Sequence, residues 1–157
     1  MKNFIIRDGV TNDLPEVLAL EKSIAEAPHW TEASYAAVID SRDDPYLRRC
    51  LFVAAQELAV IGFAVGKLTA DVAELESLAV AAVARRRGVG KALCDAVIQW
   101  SRSQTAVAIE LEVRAASGPA TALYRGLGFS AIGRRPRYYS HPVDDAVLMR
   151  LDLLKSG

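Results

Sequence analysis

Two hydrophobic periods alternate along the chain, one of two residues and one of three to four, and the switches between them mark out its elements. FIIR (4–7) is a short β-rich run. Thr11 or Asp13 after it can cap a helix over LPEVLALEKSIAEA (14–27), with Pro15 tolerated in the first turn. A second capped helix begins at Thr31, after the loop PHW (28–30). LFVAAQ (51–56) and AVIGFAVGKL (59–68) are β-rich and separated only by Glu57 and Leu58, which suits an antiparallel hairpin, and VAELESLAV (72–80) makes a further strand. From Gly88 the period lengthens. Val89, Ala92, Leu93, Ala96, Val97 and Trp100 follow helical spacing, with Lys91, Asp95, Gln99 and Arg102 on the opposite face. VAIELEV (107–113) alternates strictly, placing Val107, Ile109, Leu111 and Val113 on one face and Ala108, Glu110 and Glu112 on the other, with Glu112 near the strand's end. SGPATALYRGLGF (117–129) predicts a short helix with Pro119 in its first turn, apolar Ala120, Leu123 and Leu127, and Gly128 as C-cap. Two strands, roughly 129–139 and 144–152, close the chain. The expectation is one α+β (mixed α/β) domain over residues 1–157, with helices flanking a mixed, mostly antiparallel sheet.

Composition narrows the function. The 157 residues are 52% hydrophobic, enough for a substantial core, and 19 basic residues balance 19 acidic ones. No overall field draws the protein to nucleic acid or membrane, so charge-driven recognition must be local. Arg134, Arg135 and Arg137 lack the aromatic stacking platform of an RNA-binding surface and are expected to lie on a solvated hairpin. Cys50 and Cys94 are too few for a disulfide framework, the start MKNFIIRDG has no apolar signal region, and no run approaches a membrane span, so a cytoplasmic location is expected. His29 and His141 are far apart and unsupported by other ligands, so no metal site is expected.

Against this balance, VARRRGVGKAL (83–93) stands out: three arginines before two glycines that open a helix. A strand, a glycine turn and a helix N-terminus present free backbone N–H groups and a positive dipole end to phosphate oxygens. The dinucleotide fingerprint requires a further glycine where Leu93 stands. The P-loop requires Gly at 85 and Ser or Thr at 92, which are Arg and Ala. On the glycines alone, an ordinary helix start competes with an anion site.

Arg85-x-x-Gly88-x-Gly90, between a strand and a helix, resembles the pyrophosphate loop of the GCN5-related N-acetyltransferase (GNAT) superfamily, and the order of elements resembles that family over nearly the whole chain. LEVR, ALY and LGF within 111–129, then YY with D-A-x-x-M within 134–153, resemble its RimI branch, the ribosomal-protein alanine N-acetyltransferases, and their N-terminal acetyltransferase relatives. The resemblance implies acetyl-CoA as cosubstrate and the GNAT acyl-CoA N-acyltransferase fold. The cofactor is then held by Arg85, Arg86, Arg87, Gly88, Val89, Gly90 and Lys91 of the loop, by main-chain groups of Leu78, Ala79 and Val80, and by Ser117 and Tyr124. It also implies Glu112 as general base and Tyr124 as general acid, with Trp30, Glu76, Tyr138 and Tyr139 on the acceptor side. Glu76 is the rival base, because a glutamate on that strand serves other branches. The family usually has Asn five residues after the glutamate; here it is Ser117.

The implied acceptor is a protein N-terminus, above all the N-terminal alanine of a small-subunit ribosomal protein, with no direct nucleic-acid or membrane partner. Acyl transfer needs a neutral amine. An α-amine with a pKa of about 8 costs about 1.4 kcal/mol to deprotonate at pH 7, whereas a lysine near 10.4 costs on the order of 4 to 5 kcal/mol. An N-terminal acceptor therefore asks little of its base. A lysine or small-amine acetyltransferase of the same fold is the alternative within this chemistry, and a non-catalytic coenzyme-A-binding or ribosome-associated module is the alternative outside it.

Overall fold

The alternating runs pair as strands in the structure, a computed structural model that describes residues 3–24 and 30–154. In chain order these are β1 (Ile5–Asp8), α1 (Leu14–Lys22), α2 (Glu32–Asp40), β2 (Leu47–Gln56), β3 (Ala59–Thr69), β4 (Val72–Val80), α3 (Val89–Ser103), β5 (Ala108–Arg114), α4 (Gly118–Gly126), β6 (Ser130–Ser140) and β7 (Val143–Asp152). The strands form one sheet in the order β1-β2-β3-β4-β5-β7-β6. Every pairing is antiparallel except β4 with β5. Among the described residues no helix is long and apolar enough to cross a membrane.

Each face of the sheet buries a separate apolar cluster. Leu93, Val97 and Trp100 of α3 pack with Ala64, Ile109, Leu111, Tyr124, Phe129 and Met149 on one face. Leu14 and Val17 of α1, with Tyr35 and Val38 of α2, cover Val53, Phe63 and Val65 on the other. The buried side of α3 is wider than its apolar spacing implies and takes in Cys94, Ile98 and Ser101. Ser101 is tolerated there because its hydroxyl donates to the Val97 carbonyl at 2.8 Å. Both cysteines are free and buried, and burial pushes each thiol up to about 12.

Local signals set most boundaries. Thr31 caps α2 as expected, its hydroxyl accepting the Ser34 N–H at 3.1 Å. Asp13 precedes α1, but its carboxylate turns back to the Val10 N–H and to the fork of Arg7, each at 2.8 Å. That fork holds the Asp13 carboxyl below the usual range. The first helix ends at Lys22, earlier than the periodicity predicts, and residues 25–27 of the predicted span lie outside the described residues. β2 starts at Leu47, ahead of the predicted Leu51, because its pairing with β3 continues to Leu47 opposite Thr69, and Arg48 and Arg49 there find partners on Gln104 and Glu76.

Two irregularities shape the sheet's centre. In β4 the register with β3 slips between Leu75 and Ser77, leaving Glu76 as an extra residue. The slip flips the faces: Ala73 and Leu75 lie in the α3 cluster, whereas Ala79, at the same parity, lies in the α1–α2 cluster. The parallel pairing of β4 with β5 covers only Val72–Glu74 against Ala108–Glu110, after which the two strands part.

Candidate active site

Where β4 and β5 separate, a cleft of about 720 Å³ opens. Its floor comes from both strands, including Glu76, Ser77, Leu78, Glu112 and Arg114, and its walls include Ser117, Tyr124, Tyr138 and Tyr139. Seven of the site residues expected from sequence, namely Glu76, Leu78, Glu112, Ser117, Tyr124, Tyr138 and Tyr139, therefore meet around one space. The expectation named neither Arg114, Ser77, Ile24 nor His141, which also line it. Arg114 carried a signal, since it closes the quoted LEVR motif; the others carried none.

The central strands are acidic and their neighbours basic. Glu76 faces Arg49 at 3.3 Å, Glu74 faces Lys67 at 3.2 Å, Glu110 faces Arg150 at 2.8 Å and Glu112 faces Arg135 at 3.6 Å. Glu76, set on the bulge, is the most enclosed of the four, with 11% of its side chain exposed. Burial raises its pKa, against the lowering pull of Arg49 and Lys67. Its contact with Arg49 is one of charge, with no well-aligned hydrogen bond on either facing atom. Glu112 is one-quarter exposed, and its carboxylate is the main cause of the raised pKa of the Tyr138 hydroxyl.

Tyr124 is held by the way α4 ends. Gly128, at φ +103°, takes the left-handed conformation that glycine adopts without strain, one residue beyond the cap at Leu127. Its N–H donates to the Arg125 carbonyl and that of Phe129 to the Tyr124 carbonyl, both at 3.0 Å, closing a Schellman motif. The accompanying apolar contact is the edge-to-face pair of Tyr124 and Phe129, 5.9 Å between centroids. The ring is 7% exposed, and burial raises its hydroxyl's pKa. Among the described residues the hydroxyl has no hydrogen-bond partner, which leaves its proton available to a ligand in the cleft.

The glycine loop opens α3 as an anion site requires. Gly88 is the residue before the helix, at φ +81°, and Arg86 also has positive φ. The first amide to reach back into the helix is Ala92, to the Gly88 carbonyl at 3.0 Å, so those of Val89, Gly90 and Lys91 precede it and face the N-terminal end. A Cβ built at Gly88 meets nothing within 4 Å, whereas one at Gly90 would touch Leu123 at 3.4 Å. Space is thus free in front of the loop. Val89 itself is buried in the core, so only its backbone can serve a ligand, and the same holds for Ala79. The side chains of Arg85 and Arg86 are exposed, Arg87 reaches Gln56 at 3.4 Å, and Lys91 pairs with Asp95. These features fit a pyrophosphate held by backbone amides with guanidinium groups nearby.

The acceptor-side residues divide. Tyr138 and Tyr139 stand on the cleft wall with rings edge-on at 5.1 Å. Trp30 instead packs on Tyr35 at 5.4 Å, and its backbone N–H donates to the wholly buried Glu21 at 2.7 Å; it lies outside the residues that line the cleft. The arginines after α4 are used within the protein: Arg134 pairs with Asp145 at 2.7 Å, and the Arg137 N–H donates to the same carboxylate. His29 lies outside the described residues.

Gly88→Ala should lower thermal stability by about 1 to 2 kcal/mol through backbone strain, because the new Cβ has room and only the left-handed conformation opposes it. Loop relaxation to relieve that strain should raise the KM for acetyl-CoA while leaving the KM for the acceptor unchanged. Unfolding curves and substrate titrations check both.

Comparison with known proteins identifies the family and the fold. The acetyltransferase (GNAT) family pattern matches residues 14–129. The [ribosomal protein bS18]-alanine N-acetyltransferase of Escherichia coli K12 is 32% identical over 145 residues, covering 91% of this chain and 93% of that protein. The crystal structure of the E. coli ribosomal-protein-S18-alanine N-acetyltransferase superposes with a TM-score of 0.82 at 29% identity, over 98% of this chain and 96% of that one. A putative acetyltransferase from Salmonella typhimurium, solved with its cofactor acetyl-CoA, shares the fold with a TM-score of 0.83 at 15% identity, over 99% of this chain and 97% of that one.

Proposed function

Since this chain belongs to the acetyltransferase (GNAT) family and is an acetyl-CoA-dependent N-acetyltransferase, we propose that its acceptor is the α-amine of a protein N-terminus, above all the N-terminal alanine of a small-subunit ribosomal protein, modified in the cytoplasm. The observation that carries this reading is the meeting of Glu112, Tyr124, Tyr138 and Tyr139 around one cleft, next to a loop with free backbone amides.

Bound acetyl-CoA supplies the acetyl group as an activated thioester. The loop amides of Val89, Gly90 and Lys91 hold its pyrophosphate, with Arg85 to Arg87 adding charge, and main-chain groups of Leu78 to Val80 hold its arm along the edge of β4 that has parted from β5. Ser117, on the cleft wall, can offer one hydroxyl hydrogen bond. Glu112 accepts the proton that the ammonium must lose, directly or through one water. The neutral amine attacks the acetyl carbonyl in the ternary complex, the carbon–sulfur bond breaks as Tyr124 gives a proton to the departing sulfur, and the surplus proton of the new amide nitrogen replaces the one Tyr124 gave up. No nucleophilic side chain is required, consistent with two buried cysteines whose thiols stay protonated at neutral pH.

The test is mass-spectrometric mapping of acetate on a peptide with a free N-terminal alanine and an internal lysine. Label on the α-amine is expected. Label on the lysine would make the protein a side-chain acetyltransferase, and tight acetyl-CoA binding without transfer to any amine would make it a binding module.

A further inference from the structure

We propose that Arg114, the last residue of β5, is a positioning residue that holds the tip of the β6–β7 hairpin and so sets affinity for the acceptor rather than the rate of transfer. The inference rests on the reading of the cleft as an acceptor site.

Arg114 follows Glu112 by two residues and shares its face of the strand. Its guanidinium lies over the Tyr139 ring, 4.2 Å from the centroid, while Nη1 donates to the Pro142 carbonyl at 2.9 Å and Nη2 to the His141 carbonyl at 3.3 Å. The next two residues extend the attachment: the Ala115 N–H donates to the Asp145 carbonyl at 2.9 Å and the Ala116 N–H to the Asp144 carboxylate at 3.0 Å. The end of the strand that carries Glu112 is thereby joined to the turn that presents Tyr138 and Tyr139.

β6 is exposed along nearly its whole length, so core packing does not fix it. Its pairing with β7 breaks register after Arg135 and resumes only at Tyr139, opposite Asp144, so Tyr138 lies in the break and Tyr139 at the first rung of a two-residue ladder. A planar fork that stacks on a ring and reaches two carbonyls is a task for arginine, and the lysine ammonium cannot reproduce it.

Arg114→Met and Arg114→Lys, assayed with acceptor peptide and acetyl-CoA varied in turn, decide the matter. The KM for the peptide should rise about tenfold in both, with kcat at saturating peptide within about twofold and the KM for acetyl-CoA unchanged. Tyr139→Leu should raise the same KM, and combining it with Arg114→Met should add little, because the two substitutions remove one shared contact. A fall in kcat alone, equal losses for both substrates, or additive penalties would overturn the proposal. Should Arg114→Met fail to fold, Arg114→Lys and its combination with Tyr139→Leu carry the same comparison. Transfer to lysine or to a small amine would overturn the N-terminal reading instead, and the same KM comparison with that acceptor would still decide the role of Arg114.

Discussion

Glu112→Gln is expected to lower kcat by on the order of a hundredfold or more at neutral pH, the usual contribution of a positioned general base. The amide keeps the size of the side chain but accepts no proton, so peptide and cofactor affinities should change little. Because the α-amine loses its own proton near pH 8, raising the assay to about pH 9 should recover part of the rate in the variant. Glu76→Gln is the necessary comparison. Glu76 lies in the same cleft, and its raised pKa suits a base, but Arg49 faces it at 3.3 Å and the bulge encloses it. A smaller loss in Glu76→Gln than in Glu112→Gln supports the assignment, and the reverse order moves the base to β4. Steady-state kinetics of both variants across pH settles the question.

Tyr124→Phe should also cost about a hundredfold in kcat, through loss of the proton given to the leaving sulfur. Its folding stability should stay near that of the wild type. Phenylalanine keeps the edge-to-face contact with Phe129, and no hydrogen bond within the described residues is removed. The sign of the pKa shift adds a second check. Burial raises the hydroxyl's pKa above the ordinary tyrosine value, so the group remains protonated through neutral pH and well into the alkaline range. The wild-type rate should therefore show no loss between pH 7 and about pH 10 that traces to Tyr124. Such a loss, absent in Tyr124→Phe, would mean that the hydroxyl is not shielded as the structure indicates.

The elements that sequence periodicity located well are those whose partners are local. α3 opens at Val89 beside its glycine turn, α2 starts behind its threonine cap, and β5 alternates as written. What escaped depends on residues far apart in the chain. VAELESLAV gives no sign that its alternation breaks at Glu76, because the extra residue is defined only by pairing with β3. Arg48 and Arg49 look like loop residues until Gln104 and Glu76 are beside them. Trp30 was expected at the acceptor site by its place between the first two helices, whereas its ring serves the α1–α2 cluster through Tyr35. The Glu112 motif was legible and its surroundings were not, since Arg135 and Tyr138 arrive from a strand that begins eighteen residues later.

The parting of β4 from β5 leaves facing edges of two central strands without a third to pair with. Amide groups along such an edge are still obliged to find partners, and water is a mobile one. An extended molecule with its own peptide-like amides, lying between the strands, would complete the hydrogen bonding as a borrowed strand would. Acetyl-CoA bound there would be a temporary piece of the sheet as well as a reagent, and each release of the product would reopen a seam through the middle of the protein.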